Sequence, residues 1–172
     1  NQYLFLASNM EYHLLGNHII ENAFSLLFGS FYFKNDNWYK KSKKILEFQL
    51  NEQVLNDGGH FELSPMYHSI ILERLLDCIN LLKNNQTFQN QDELEKLFIQ
   101  NSKKMLSWLN NITFTDGSIP HFNDTTNGIA SSSKQLFQYA NSLGIKNNKS
   151  NYLGLSDSGY KRFDRKKYSC II

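Results

Sequence analysis

Apolar residues recur at three- and four-residue spacing through most of the chain, and this pattern restricts its fold more than any other feature. Such spacing places the apolar side chains on one face of a helix. The 172 residues include only 2 prolines and 9 glycines, which is few for a β fold with many turns. We therefore predict a mainly α fold of five or six antiparallel helices, with extended structure only near the C-terminus.

The apolar spacing predicts the position of five helices. Their buried faces run over Leu14 to Phe31, Trp38 to Val54, Ile71 to Leu82, Leu94 to Ile112 and Leu136 to Leu143, and the first of these includes Leu15. Thr115 to Ser133 is rich in small polar residues and is predicted to form a long loop, and Asn147 to Ser158 is predicted to be a linker. Gly159 to Ile172 alternates as two short strands around Asp164-Arg165. Both ends read as interrupted patterns, so we expect the chain to be part of a longer protein.

Composition excludes several classes of protein. Lys and Arg total 18 against 16 Asp and Glu, a net charge of +2, which argues against a nucleic-acid-binding domain. The longest nearly apolar run, Ala23 to Phe33, is too short to span a bilayer. The two cysteines, Cys78 and Cys170, cannot form a disulfide framework.

The first candidate site follows Gly16 at the start of a very apolar helix. His18 and Glu21 are three residues apart on one helical face, so Glu21 is placed to orient the imidazole. A metal site is a weaker interpretation, because the second histidine of a zinc-protease motif is missing. For this stretch alone, the sequence favours a helix terminus capped by Asn17, with His13 and His18 as satisfied core or rim residues.

The second candidate, Asp57 to His68, is denser in functional groups than any comparable window. Ser64-Pro65 is a typical helix start, with Ser64 as the cap, so Tyr67 and His68 fall in the first turn. Free N–H groups and the helix dipole attract an anion to that end. The alternative is a tight turn that leads into a capped helix, and the sequence favours neither.

The third candidate is the loop from Asp116 to Asp124, which either lines a cleft or is only a capped loop. Paired carboxylates for glycoside hydrolysis are available, but no spacing selects a pair; the candidates are Asp57, Glu62, Asp116 and Asp124. The basic run from Lys161 to Lys167 is read as the solvated side of a hairpin.

Taken together, these segments resemble the heparinase II/III family of polysaccharide lyases over essentially the whole chain. The block from Asp57 to His68 is the specific match, and the other stretches fit the family in order. They are Gly16 to Phe24, Ile45-Leu46 with Glu52-Gln53, Asp116-Gly117 with Phe122 to Asp124, and Asp157 to Tyr160.

The resemblance implies an α/α toroid of helical hairpins followed by an antiparallel β-sandwich domain, with the active cleft between them. Residues 1–156 would be part of the toroid, and residues 157–172 would begin the β domain. A further catalytic histidine and any structural metal would belong to the β domain beyond Ile172, which is the expected partner, so we expect no metal or cofactor in this chain. A periplasmic or secreted location is implied by the family alone.

The resemblance also implies roles for individual residues. Asn17 and His18 would neutralise the carboxylate of a uronic acid, and Tyr67 would act as general base, general acid or both. Glu21 would support His18. Substrate-binding or supporting positions would be His60, Glu62, His68 and Asn123.

We therefore expect a polysaccharide lyase that cleaves an acidic, uronic-acid-containing glycan by β-elimination. The combination of Asn17, His18 and Tyr67 favours this over a non-catalytic helical carbohydrate-binding or scaffold domain. A toroidal glycoside hydrolase that uses two carboxylates ranks below both.

Overall fold

The computed structural model describes residues 1–14, 16–146 and 155–172, and within these ranges the chain is mainly helical. The helices are α1 (Gln2–Ser8), α2 (His18–Phe33), α3 (Asp36–Gln53), α4 (Pro65–Asn84), α5 (Gln91–Ile112) and α6 (Ser133–Ser142). Two short strands, β1 (Arg162–Asp164) and β2 (Ser169–Ile171), follow them. The predicted fold class is confirmed. Leu15 and most of the predicted linker, residues 147–154, lie outside the described residues.

The helices are arranged in consecutive pairs. Only Lys34 and Asn35 separate α2 from α3, and so short a connection makes the two helices antiparallel neighbours. Helices α4 and α5 form the next pair, and α2 also contacts α4. These hairpins are the unit from which a toroid is built, but its closure stays a prediction.

The core lies between the apolar faces of the four long helices. Its largest fully buried side chains include Trp108, Phe24, Phe98, Leu46 and Leu75. Each carries an area whose removal from water contributes roughly 1.5–3 kcal/mol to folding. The predicted buried faces of these helices are therefore confirmed.

Some features differ from the sequence prediction. The first helical face was predicted from Leu14, but α2 begins at His18. Helix α1 was not predicted; it lies against α2, where the ring of Tyr3 occupies the space that a side chain at Gly29 would need. The predicted second helix includes Val54, but α3 ends at Gln53, and Val54 pairs with His60 in an antiparallel bridge. The chain reverses there because Leu55 N–H bonds Gly59 O across the turn.

The C-terminal hairpin is tied to the helical part. Strands β1 and β2 pair in antiparallel register, with Phe163 opposite Cys170. The Arg162 guanidinium donates to the carbonyls of Asn111 and Thr113, each at 2.8 Å, at the end of α5. The predicted strands are therefore observed, and the division into domains at residue 156 stays a prediction. In the described ranges, no helix combines the length and apolarity needed to cross a bilayer.

Candidate active site

A polar, solvent-open pocket of about 540 Å³ lies where α2 and α4 begin. The loop that precedes α6 forms its third side. Its lining residues are Asn17, His18, Glu62, Ser64, Tyr67, Asn123 and Asp124. The structure thus brings the three predicted catalytic residues into one pocket, together with Glu62 and Asn123.

The α2 side of the pocket begins with a glycine in a left-handed backbone conformation. Gly16 has φ +82, and a β-carbon there would collide with the Glu62 carboxylate. That carboxylate accepts the Asn17 N–H at 3.1 Å. Gly16 therefore lets the chain approach Glu62 closely enough for the carboxylate to hold the peptide before Asn17.

Asn17 occupies the N-cap position of α2 but does not cap it. Within the described ranges, its side chain makes no capping hydrogen bond, and its backbone is helical (φ −78, ψ −4) rather than extended as at most caps. The proposal from sequence that Asn17 caps the helix is therefore wrong in its geometry. The amide is left available to a ligand in the pocket.

Glu21 does not pair with His18 as its spacing suggested. The Glu21 carboxylate lies 3.5 Å from the Arg74 guanidinium of α4, and His18 Nδ1 lies 3.6 Å from Glu11 Oε2. Burial raises the pKa of Glu21, while the charge and hydrogen bond of Arg74 oppose that rise. Glu21 thus ties α2 to α4, and Glu11 is the carboxylate beside the exposed imidazole.

The α4 side of the pocket is held by its own side chains. Ser64 Oγ accepts the Tyr67 N–H at 3.4 Å and lies 3.0 Å from Thr125 Oγ1. Met66 N–H donates to the same Thr125 oxygen at 3.3 Å. The predicted Ser64-Pro65 helix start is confirmed. The half-buried Tyr67 ring lines the pocket from a fixed first turn.

The segment between Glu62 and Ser64 is fixed from two distant parts of the chain. Leu63 has a left-handed backbone (φ 54), and its carbonyl accepts the Asn123 amide at 2.8 Å and the Tyr160 hydroxyl at 2.6 Å. Asn123 therefore both lines the pocket and holds its wall. Tyr160 holds the same carbonyl, and Thr125 holds the adjacent Ser64 and Met66. The sequence assigned neither residue this role, because no local spacing links them to this segment.

His60 and His68 are fully buried behind this wall. His60 Nε2 lies 3.0 Å from Gln53 Oε1, and His68 Nε2 donates to Met105 O at 3.1 Å. Burial lowers the pKa of His60 to about 4 and that of His68 to about 3, the latter with a contribution from His60. Both rings are neutral near pH 7, so they support the site as structural groups rather than as proton carriers.

The carboxylates considered as a hydrolytic pair are separated by the structure. Asp57 is buried and accepts the backbone N–H groups of Gly59 and Ser158, at 2.9 and 2.7 Å. Asp116 is exposed and bonds to Ser118 within its own turn. Of the four, Glu62 and Asp124 line the pocket.

The charge of Glu62 depends on its neighbours. Burial raises the pKa of Glu62, and the nearby Asp124 charge raises it further, whereas the Asn17 N–H and His18 lower it.

In the part of the chain that the structure describes, no three His, Cys, Asp or Glu side chains are grouped to hold a metal ion.

A second, more apolar pocket of about 640 Å³ is lined by Gly16 and Phe61, the sequence neighbours of Asn17 and Glu62 in the polar pocket. Tyr12, Phe48, Phe61 and Lys44 are among its lining residues. We take the polar pocket as the candidate site, because it holds the groups that can bind a carboxylate or transfer a proton.

Comparison with known proteins identifies the family. A family model described as Heparinase II/III N-terminus matches residues 1–152. The chain belongs to the heparinase II/III family. It is 27% identical over 117 residues to a heparin-sulfate lyase of Bacteroides stercoris, a match that covers 66% of this chain and 17% of the relative.

A heparin-sulfate lyase of Pedobacter heparinus is also 27% identical, over 114 residues that cover 64% of this chain and 17% of that protein. The chain thus spans about a sixth of the length of these curated heparinase II/III relatives. No solved structure matches the chain significantly.

The pocket of this heparinase II/III family member combines three kinds of group. The amide of Asn17 can donate hydrogen bonds, His18 can donate or carry charge, and the phenol of Tyr67 can transfer a proton. The start of α2 adds the partial positive charge of a helix N-terminus. Together these groups can bind a carboxylate and move a proton beside it.

Proposed function

We propose that this chain forms part of a polysaccharide lyase that cleaves an acidic glycan at uronic acid units by β-elimination. The observation that supports it most is the convergence of Asn17, His18 and Tyr67 on one open pocket. The two curated relatives named heparin-sulfate lyase agree with this class of reaction and with a glycosaminoglycan substrate.

The reaction requires removal of the weakly acidic proton at C5 of the uronic acid. Negative charge then develops on the adjacent carboxylate, and hydrogen-bond donors placed against it stabilise the transition state. Asn17 and His18 supply such donors from the start of α2. Because the Asn17 side chain is not used as a cap, its N–H groups remain available for the substrate.

Tyr67 is the proposed proton-transfer group. In the ionised form, its phenolate oxygen takes the C5 proton and becomes a phenol; the electrons of the C5–H bond form the C4–C5 double bond, and the C4–O bond breaks with its electrons on the leaving oxygen. The leaving oxygen is protonated by Tyr67 itself or by a group outside this chain. Ser64 and Thr125 fix the first turn of α4, so the phenol is held by a rigid element.

Glu62 limits where a substrate carboxylate can bind at the start of α2. Its own carboxylate already accepts the Asn17 N–H at 3.1 Å. A substrate carboxylate therefore has the side chains of Asn17 and His18 as its donors, rather than that backbone N–H.

Two further proposals follow from the family. The hairpins of this chain would form part of an α/α toroid, and a β domain of the same protein would complete the cleft with a further histidine. The acidic polysaccharide would lie between the two.

The test is to incubate the full-length protein with candidate acidic glycans and follow the ultraviolet absorbance of the 4,5-unsaturated uronate. A lyase gives new chain ends that absorb, in equal number to the new reducing ends. New reducing ends without absorbance would show a hydrolase. Binding without any cleavage would show a carbohydrate-binding or scaffold domain.

A further inference from the structure

The peptide that joins Gly16 to Asn17 is held at both of its polar atoms by side chains from other segments. Its carbonyl oxygen, on Gly16, accepts a hydrogen bond from Gln53 Nε2 at 3.0 Å. Its N–H, on Asn17, donates to Glu62 Oε1 at 3.1 Å. Since the plane of this peptide sets the direction in which Asn17 leaves the backbone, the two side chains together orient the start of α2.

The orientation of the Gln53 amide is determined by its partners. Nε2 faces two acceptors, the Gly16 carbonyl and Gln49 Oε1, the latter at 2.5 Å. Oε1 faces His60 Nε2 at 3.0 Å. A rotated amide would point its oxygen at two acceptors, so Gln53 donates to Gly16 and His60 donates to Gln53.

The same contacts define the tautomer and position of His60. The ring carries its hydrogen on Nε2, and in the described ranges Nδ1 is buried without a hydrogen-bond partner. The bridge between Val54 and His60 and the bond from Phe61 N–H to Gln53 O place this ring beside the end of α3. The buried histidine therefore acts on Gln53, and Gln53 acts on Gly16.

Gln53 is only 1% exposed, so its hydrogen bonds cannot be replaced by bulk water. A buried carbonyl or amide that loses its partner retains the cost of desolvation. The contacts of Gln53 are thus strong enough to hold one peptide geometry at a site that otherwise lacks a helix cap.

From these contacts we propose that Gln53, set by His60, is a positioning residue for the site: it fixes the Gly16–Asn17 peptide so that Asn17 and His18 face the pocket. The proposal rests on the proposed lyase function for its effect on turnover. Its effect on the geometry of the Gly16–Asn17 peptide does not depend on that function and is measured separately.

The experiment replaces Gln53 by Met in the full-length protein, which keeps the length of the side chain and removes its hydrogen bonds. The matched control is Gln91→Met, because Gln91 at the start of α5 is 2% exposed and donates to the carbonyl of Leu82 in the last turn of α4 at 2.8 Å. Both variants lose a buried amide, but only the first touches the site.

We expect Gln53→Met to lower kcat by roughly 10–100-fold with little change in KM, a size typical of groups that orient site residues. Hydrogen–deuterium exchange of the segment that contains residues 16–18 should become faster. Gln91→Met should lower thermal stability while leaving kcat and this exchange as in the wild type. Gln53→Leu, which likewise cannot hydrogen-bond to Gly16 or His60, should reproduce the loss, and it serves if the Met variant does not fold.

Unchanged exchange at residues 16–18 in the Gln53 variants would overturn the proposal, whatever their activity. Equal losses of turnover in the Gln53 and Gln91 variants would overturn it as well, since they would show general destabilisation. If the wild-type protein forms no unsaturated product, the proposed function fails, and the exchange measurement alone decides whether Gln53 positions the peptide.

Discussion

Helix α2 begins at Asn17 without a side-chain cap in the described part of the chain, whereas helix α4 begins with Ser64 bonded to the Tyr67 N–H. Both starts line the same pocket. At α4 the first donors are used internally, by Ser64 and Thr125. At α2 the preceding peptide is held from outside, by Gln53 and Glu62, and among the described residues the side chain of Asn17 makes no capping bond.

This difference separates two uses of a helix terminus. A capped start contributes about 1 kcal/mol to stability and holds its first turn rigidly, which suits a residue that must transfer a proton from a fixed point. An uncapped start gives up that contribution and keeps its donors and positive potential for a ligand. The four predictions below test this division.

The largest expected effect belongs to Tyr67→Phe in the full-length protein. The change keeps the ring and removes the oxygen that transfers the proton, so turnover should fall by roughly 10²–10⁴-fold. Initial rates of unsaturated-product formation measure it, with thermal unfolding as a check on stability.

The control for this variant is Tyr139→Phe. Tyr139 donates to Asp77 at 2.9 Å on the outside of α4, so its loss should cost about 1 kcal/mol of stability with near-normal turnover. Full activity in Tyr67→Phe would exclude Tyr67 as the proton-transfer group.

Asn17→Ala should lower turnover by roughly 10²-fold, the size seen when one donor to a developing negative charge is removed. Its free energy of unfolding should change by less than about 0.5 kcal/mol, because no capping bond is lost. Initial rates test the expected loss of turnover, and denaturant unfolding of the same preparation tests the expected small change in stability. A loss of stability without a loss of turnover would reverse the assignment and make Asn17 a cap.

Ser64→Ala should show the complementary pattern. Removing the cap of α4 and the contact with Thr125 should lower the free energy of unfolding by about 1 kcal/mol. Turnover should fall less than in Asn17→Ala, because Ser64 acts through the position of Tyr67. Denaturant unfolding of the two variants side by side tests this prediction. Equal losses of unfolding free energy would contradict the difference between the two helix starts.

The smallest effect concerns Glu62 and pH. Because the folded-state pKa of Glu62 is raised above 4.5, the folded protein binds its proton more tightly than the unfolded chain does. The wild type should therefore lose stability as pH rises through the window just above 4.5. Glu62→Gln retains an acceptor for the Asn17 N–H and should lack this loss.

The melting temperatures of the two proteins, measured from pH 4 to pH 7, test the prediction. Their difference should shift in favour of the Gln variant as pH rises. A difference independent of pH would show that Glu62 titrates alike in the folded and unfolded chains.

Features set by neighbouring residues could be predicted from the sequence, and features set by distant residues could not. The apolar spacing of the long helices and the Ser64-Pro65 start were predicted correctly, because each depends on a few adjacent positions. The pairing of Glu21 was wrong, since the preferred cation, Arg74, lies 53 positions away on another helix.

The candidate site shows the same limit. The resemblance indicated Asn17, His18 and Tyr67, and the structure places all three in one pocket, while their catalytic roles stay predictions. The resemblance also included Gln53 and Tyr160 in its matching stretches, but it gave them no role. Their contacts are with Gly16 and Leu63, which are distant in the sequence, so local spacing could not assign one.

The bonds of Asp57 also determine when the pocket wall can form during synthesis. Asp57 accepts the N–H of Ser158, which lies 101 positions later in the chain. At about 5–20 residues per second, the ribosome takes about 5–20 s to supply that partner. The helices can pair during this interval through contacts between neighbouring segments. The wall that carries Glu62 and Leu63, by contrast, gains its contacts with Ser158 and Tyr160 only after those residues are made, so a nascent chain pairs its helices before it completes the wall of the pocket.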